Sequence, residues 1–186
     1  KASAEAVPTS LFALAQAAQS LLAQAATAAH QRPERAVFLG SGVLTAAARE
    51  AALKVLELSA GQVPTLWDST LGFRHGPKAF MTGQTRAYVF VSGAPHTQRY
   101  DLDVAAEIRT QFGVHTVVSV GPHPACDVVL PRVMNDAWST VLYVVLAQLV
   151  ALQWSHGLGL NVDNPFANGN LSRVVSGVKL YPLEAA

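Results

Sequence analysis

The sequence predicts an α/β domain, built as a three-layer α/β/α sandwich around a five-stranded parallel sheet of flavodoxin-like type. Short, continuous runs rich in Val, Ile and Leu alternate with segments of helical periodicity, which is typical of a parallel sheet covered on both faces. The 186 residues suffice for one large domain with its own core. Hydrophobic residues make up 51% of the chain and charged residues 13%, which favours an α/β domain or a subunit that buries further surface against a partner.

The first predicted elements are a helix and a strand. The helix runs from a capping Thr9 or Ser10 to about His30, and its apolar residues recur on one stripe. Residues 31–35, "QRPER", end this helix. Residues 36–40, "AVFLG", are fully apolar, as expected for a strand that is buried on both faces.

A glycine-rich turn over residues 40–42 leads into a second helix, which is predicted to end near Ala60 with Gly61 as its C′ residue. Further along, apolar runs bounded by Gly, Pro or Asp predict strands, and helical periodicity predicts helices. The remaining predicted strands are 63–68, 86–93, 115–121 and 127–131, and the remaining predicted helices are 97–113 and 136–156. Ligands bind beyond the carboxyl ends of the strands in such sheets, so we expect a binding site near the glycine-rich turn.

Composition and charge argue against several classes of function. The formal net charge is +1 and no basic patch is interleaved with aromatic residues, so we expect no nucleic-acid partner. The longest apolar run, 141–154, is too short for a membrane span and contains Gln148, so we expect a buried helix and no membrane association. The single cysteine, Cys126, favours a reducing, cytoplasmic location. His123 and Cys126 lack a second ligand pair of matching spacing, so no metal site is predicted.

Three charged residues lie on one face of the second predicted helix. Glu50, Lys54 and Glu57 are spaced i, i+4 and i+7, which places their side chains along a single stripe. Glu50 and Lys54 stand in the favourable order for an exposed ion pair worth roughly 0.3–0.5 kcal/mol, so one interpretation is a solvated helix face. The helix also leaves the glycine-rich turn, and one strand later His75 lies between a basic residue and a Gly-Pro that stiffens the loop. These features favour a second interpretation, in which the stripe is part of an active site.

Four segments of the sequence resemble a known family. They are "LGSGVLTAAAREAALKVLEL" (39–58), "DSTLGFRHGPKAF" (68–80), "VFVSGAPHTQRYDLDVAAEIR" (89–109) and "NPFANGNLSRVVSGVKLYP" (164–182). In this order and with these gaps they are similar to the second SIS (sugar isomerase) domain of the tagatose-6-phosphate ketose/aldose isomerase and galactosamine-6-phosphate deaminase family. The resemblance implies the SIS fold for residues 36–186, as the second of two SIS domains, with an N-terminal inter-domain helix in residues 1–35.

The resemblance also implies catalytic roles. "EAALKVLE" and "HGP" match the charged helix and the His-Gly-Pro loop of the isomerase half of glucosamine-6-phosphate synthases, a more distant relative. Glu57 would then be the base that moves a proton between sugar C1 and C2. His75 would help to open the pyranose ring and would reach the site from a neighbouring subunit. A carboxylate in a partly dry pocket is a better base, and the nearby ammonium of Lys54 would stabilise negative charge on oxygen.

Further residues are expected to bind substrate. Glu50 would orient or bind it, and the turn residues Gly40, Ser41 and Gly42 lie where ligands bind in this class of sheet. Arg173 stands where the relatives have a lysine that touches the sugar. Since an arginine is not an easily deprotonated base, its expected role is electrostatic.

The leading hypothesis is an isomerase or deaminase that acts on a hexose or hexosamine 6-phosphate without a metal or organic cofactor. The resemblance implies a homodimer or higher homo-oligomer with sites at the interface. Two alternatives remain open: a sugar-phosphate sensor that binds without turnover, and a dimerisation scaffold. "VSGAPHT" (91–97) stands where family members hold the phosphate, but Pro95 lacks an N–H, so we expect a poor phosphate cradle. This weakness favours a sensor or a half-domain that depends on another part of the protein.

Overall fold

Five parallel strands form a single sheet at the centre of the computed structural model, which describes residues 6–29, 31–166, 169, 171 and 177–182. The strands are β1 (Arg35–Gly40), β2 (Thr65–Asp68), β3 (Thr85–Phe90), β4 (Val117–Gly121) and β5 (Val128–Val129). The helices are α1 (Ala6–Ala29), α2 (Leu44–Leu58), α3 (Pro95–Phe112) and α4 (Asp136–Gly157). The strand order is β2-β1-β3-β4-β5, and every neighbouring pair is parallel. This order confirms the predicted flavodoxin-like sheet.

Side chains on the two faces of the sheet belong to two apolar cores, because successive residues of a strand point to opposite faces. In β1, Ala36 and Phe38 pack in the core formed with α1, α2 and α4. Val37 and Leu39 pack instead with α3 and the loop after β2. Helices therefore cover both faces, which confirms the three-layer sandwich.

Two buried hydrogen bonds tie the end of α1 to the rest of the domain. The Tyr88 hydroxyl donates to the Ala28 carbonyl at 2.7 Å, and the Trp154 indole N–H donates to the Ala29 carbonyl at 2.9 Å. Apolar residues of α1 also share a core with α4. α1 is thus packed into the domain, and the assignment of residues 1–35 as an inter-domain helix stays a prediction.

α2 ends two residues before the predicted end, and its C′ position lies one residue before the predicted one. The helix ends at Leu58, and the left-handed C′ position is taken by Ala60, with φ of 50°, rather than by Gly61. The Ala60 N–H donates to the Glu57 carbonyl at 3.0 Å, and the Gly61 N–H donates to the Leu56 carbonyl at 2.9 Å. This pair of bonds is a Schellman motif with Gly61 at C″.

Other boundaries shift by a few residues. α1 already includes Ala6, so the predicted cap residues Thr9 and Ser10 lie within the helix. β3 ends at Phe90 rather than at the predicted residue 93. It ends there because the N–H groups of Ser92 and Gly93 donate to carboxylates instead of to the neighbouring strand.

α4 is the one helix among the described residues that is long and apolar enough to cross a membrane. Its buried side chains, among them Leu142, Leu146 and Val150, pack with α1 and α2 in the core. The Tyr143 hydroxyl donates to the Val91 carbonyl at 2.7 Å, which ties the helix to the end of β3. The apolar composition therefore serves core packing, in agreement with the predicted buried helix.

Candidate active site

The glycine-rich turn after β1 has a structural explanation for both of its glycines. A Cβ atom on Gly40 would lie 2.5 Å from the Leu44 carbonyl oxygen, so only glycine lets α2 start so close to the strand. Gly42 has φ of 56°, a left-handed conformation that other residues disfavour. The Thr45 hydroxyl donates to the Gly40 carbonyl at 2.6 Å and closes the turn. The predicted role of these glycines in substrate binding stays a prediction.

A buried carboxylate joins this turn to the loop after β3. Asp101 of α3 is fully buried and accepts hydrogen bonds from the Ser41 hydroxyl at 2.6 Å and from the Ser92 N–H at 2.9 Å. Burial raises the pKa of Asp101, and the two hydrogen bonds oppose that rise by stabilising the carboxylate. The Ser41 hydroxyl, which is predicted to bind substrate, is therefore engaged within the chain.

A second carboxylate occupies the loop that stands in the place of a phosphate cradle. Asp136, the first residue of α4, accepts from the Ser92 hydroxyl at 2.5 Å and from the Gly93 N–H at 2.7 Å. The Ala94 N–H donates to the Ser92 hydroxyl oxygen at 3.0 Å. A phosphate would need these same donors. Pro95 was the predicted reason for a poor cradle, and the paired donors are a stronger one.

The charged stripe of α2 forms an ion-paired triplet. Lys54 Nζ lies 2.7 Å from Glu57 Oε2 and 3.4 Å from Glu50 Oε1. The hydrogen bond to Glu57 is the main reason that the pKa of Lys54 is raised. The side chains of Glu50 and Glu57 are 42% and 40% exposed, and that of Lys54 is 24% exposed. The structure thus brings the three predicted residues together, but this chain alone does not enclose them in a dry pocket.

Glu57, the predicted base of the triplet, lies away from the carboxyl edge of the sheet. α2 starts at Leu44 beside the glycine-rich turn, and Glu57 follows 13 residues later. At 1.5 Å per residue, this separation is about 20 Å along the helix axis. A cleft of about 380 Å³ lies between α2 and β2 beside Glu50, where the Arg49 guanidinium stacks over the Trp67 ring at 5.5 Å. The predicted turn and the predicted base Glu57 therefore lie at opposite ends of α2.

His75 lies on a loop that packs on the other face of the sheet. The loop after β2 forms two 3-10 turns, Gly72–His75 and Pro77–Phe80. Phe73 is fully buried in the core with α3, whereas α2 packs in the opposite core. His75 itself is exposed. Within one chain, the loop that carries His75 and the helix that carries the Glu57 triplet thus pack on different faces of the sheet.

Two further predictions concern the tail and metal binding. Arg173, the predicted electrostatic ligand of the sugar, lies outside the described residues. Within the part of the chain that the structure describes, no group of three or more His, Cys, Asp or Glu residues could hold a metal ion.

Asp101 and Asp136 are residues of this region that the sequence analysis missed. Asp101 carried a signal, because it stands on the buried stripe of α3 at spacings of three, four and seven from Val104, Ala105 and Ile108. A carboxylate at such a position must find hydrogen-bond donors. Asp136 carried no comparable signal, since acidic residues are common in the first turn of a helix, where they interact favourably with its dipole.

Comparison with known proteins finds relatives for most of the chain. D-galactosamine-6-phosphate deaminase AgaS from Escherichia coli is 42% identical over 164 residues, which are 82% of this chain and 42% of that protein. The crystal structure of tagatose-6-phosphate ketose/aldose isomerase from Escherichia coli matches with a TM-score of 0.77 and 34% identity, over 92% of this chain and 47% of that one. A structure from Clostridium novyi NT matches with a TM-score of 0.85 and 29% identity, over 96% of this chain and 50% of its own. No protein-family model matches the sequence. The chain spans about half the length of the curated relatives it matches.

Proposed function

We propose that this chain supplies the base of a phosphosugar isomerase or deaminase. The premise is that the chain is an SIS domain of the galactosamine-6-phosphate deaminase and tagatose-6-phosphate ketose/aldose isomerase family. The observation that carries the proposal is the triplet in which Lys54 pairs with Glu50 and Glu57 on a half-exposed helix face. The substrate would be a hexose or hexosamine 6-phosphate. Glu57 would move a proton between its C1 and C2.

The triplet suits this chemistry. Both reactions require the removal of a proton from a carbon beside a carbonyl or imine, so a carboxylate must lie next to a group that stabilises negative charge. Lys54 lies 2.7 Å from the Glu57 carboxylate and has three N–H donors, so it can orient the base and still donate to a substrate oxygen. Glu50 is placed to hold the ammonium from the other side at 3.4 Å.

We further propose that the site is completed by a surface outside this chain. The Glu57 side chain is 40% exposed, and a base of this kind needs a drier pocket. A second copy of the chain could bring its exposed His75 to the triplet, in a homodimer or higher homo-oligomer. The phosphate is expected to bind outside the loop after β3, because the donors of Ser92 and Gly93 are already paired with Asp101 and Asp136.

Turnover by the longest natural polypeptide that contains this sequence tests the proposal. The substrates are galactosamine 6-phosphate and tagatose 6-phosphate, followed by release of ammonia and by interconversion of ketose and aldose. Glu57→Gln keeps the size of the side chain but removes the base, so we expect kcat to fall by about a hundred- to ten-thousand-fold. Glu34→Gln, an exposed glutamate before β1, is the matched control and should leave kcat unchanged.

The outcomes separate the candidate functions. Turnover that disappears in Glu57→Gln alone supports an enzyme with Glu57 as its base. Saturable binding of the sugar phosphates without turnover, unchanged in Glu57→Gln, would instead make the domain a sensor. If the protein shows neither binding nor turnover, the scaffold hypothesis remains. The oligomeric state is then the measurement to make.

A further inference from the structure

Two basic residues flank His75 in the sequence, with Arg74 directly before it and Lys78 three residues after it. In an enzyme for sugar phosphates, cations on both sides of a histidine would suggest ligands for the phosphate. The structure gives both cations another partner, the carboxylate of Glu107 on α3. Their role therefore has to be sought in the loop that carries the histidine.

Glu107 is bound from two directions. Arg74 Nη2 lies 2.7 Å from Oε2 of Glu107, and Lys78 Nζ contacts the other carboxylate oxygen, Oε1. Arg74 also contacts Asp103, one turn earlier on α3, at 2.6 Å. The side chain of Glu107 is 26% exposed and that of Asp103 is 68% exposed, so Glu107 is the better shielded of the two acidic partners. The hydrogen bond from Lys78, followed by that from Arg74, holds the pKa of Glu107 below its usual range, so the carboxylate stays charged at neutral pH.

Backbone hydrogen bonds shape the two 3-10 turns around His75, such as the one from the Ala79 N–H to the Gly76 carbonyl at 2.9 Å, but they do not fix the side chain of His75. Phe73 and Met81 anchor the loop in the apolar core on either side. His75 is exposed, so its own packing does not set its position. Gly76 has φ of 135°, a conformation that favours glycine, so the backbone can turn between the two 3-10 turns. A restraint on both sides of His75 is therefore needed to keep the imidazole in one place.

We propose that Glu107 is a positioning residue for His75, because its contacts with Arg74 and Lys78 hold the exposed histidine in the geometry that reaches the substrate. The contacts of Glu107 with Arg74 and Lys78 form the Glu107 clamp. The inference rests on the proposed function, in which His75 helps to open the sugar ring. It also assigns Arg74 and Lys78 to the loop rather than to the substrate phosphate.

Kinetics of the same full-length polypeptide distinguish these two assignments. Glu107→Gln removes the charge that holds both cations, so we expect kcat to fall about ten- to a hundred-fold while KM stays within about two-fold. Lys78→Met should have the same effect. The double variant with Glu107→Gln and Lys78→Met should be no slower than either single variant, because both substitutions break the same clamp. Asp103→Asn is the matched control on α3 and should remain close to the wild type, since Glu107 still joins both cations.

A phosphate-binding role predicts a different pattern. Lys78→Met would then raise KM strongly, and Glu107→Gln would lower it by releasing two cations for the phosphate. That result would overturn the proposal. Glu107→Asp keeps the charge on a shorter side chain and should recover part of the lost kcat, which a general loss of folding would not show.

Hydrogen exchange provides a readout that does not depend on the identity of the substrate. We expect Glu107→Gln and Lys78→Met to speed amide exchange over residues 72–80 and to leave the core strands protected, whereas Asp103→Asn should not. Absence of turnover in the wild type would refute the proposed function but would leave this comparison intact. Unchanged exchange in both clamp variants would overturn the clamp itself.

Discussion

Removal of the Lys54 charge separates the two interpretations of the α2 stripe, because they predict the same stability but different activity. Lys54→Met keeps the aliphatic length of the side chain and deletes the ammonium that lies 2.7 Å from Glu57 and 3.4 Å from Glu50. Pairs of this spacing on an exposed helix contribute about 0.3–0.5 kcal/mol each, so the loss of both should cost less than about 1 kcal/mol of the free energy of unfolding.

The expected thermal shift is correspondingly small. A change of 1 kcal/mol moves the Tm of a domain of this size by about 2–4 °C, so Lys54→Met should lower Tm by less than about 4 °C. The hydrogen bond to Glu57 raises the pKa of Lys54 above its ordinary value of 10.5. The stabilisation that depends on the charged ammonium is therefore lost only as the pH rises through this raised pKa. The difference in Tm between wild type and variant should therefore be constant from about pH 7 to 9.

Activity is the deciding measurement. If the ammonium stabilises charge in the transition state, Lys54→Met should lower kcat by about a hundred- to a thousand-fold, while calorimetry shows the small shift in Tm. Lys54→Arg keeps both ion pairs and serves as the control for stability. An unchanged kcat in Lys54→Met would refute the catalytic interpretation and would leave the stripe as a solvated helix face.

Two further predictions concern the turn after β1 and the single cysteine. Gly40→Ala should lower the free energy of unfolding by about 3 kcal/mol in urea titrations, because the new Cβ would lie 2.5 Å from the backbone of Leu44. Gly42→Ala has free space around its Cβ and should lose only about 1–2 kcal/mol, for its positive φ, so equal losses in the two variants would contradict the steric explanation. Burial raises the pKa of Cys126 to about 11, so the native thiol should resist iodoacetamide at pH 7.5 and react only on unfolding. Rapid alkylation of the folded protein would show that the thiol is accessible.

The fold could be predicted because its determinants are local. Apolar runs and helical periodicity are visible in short windows, and they give the correct elements in the correct order. The error at the end of β3 has a different origin, because the backbone N–H groups there have two possible kinds of acceptor, a strand carbonyl or a side-chain carboxylate. At the end of β3, Ser92 donates to Asp101, nine residues further along the chain, and Gly93 donates to Asp136, 43 residues further along. A strand end that is decided by such contacts cannot be located from its own residues.

The candidate site was predictable to a similar extent. The triplet Glu50, Lys54 and Glu57 follows from helical spacing alone, and the structure confirms that the side chains meet. The clamp around His75 was not predictable, because Glu107 lies 33 residues beyond Arg74 and 29 residues beyond Lys78. The sequence shows two cations beside a histidine, and only the fold shows that they already have a partner.

The geometry of parallel sheets explains why the predicted residues do not gather into one crevice. A helix that follows a strand runs back along it, so residues at the end of α2 lie about 20 Å from the carboxyl edge, where single α/β domains bind ligands. At that edge, Asp101 and Asp136 take up the donors of the loop after β3, whereas the 40% exposed carboxylate of Glu57 lies at the other end of α2. The Glu57 carboxylate, the proposed base, therefore lies on the outer face of a helix. Such a face becomes a pocket only when another surface covers it, and this is the physical reason to look for the active site between domains or between copies of the chain.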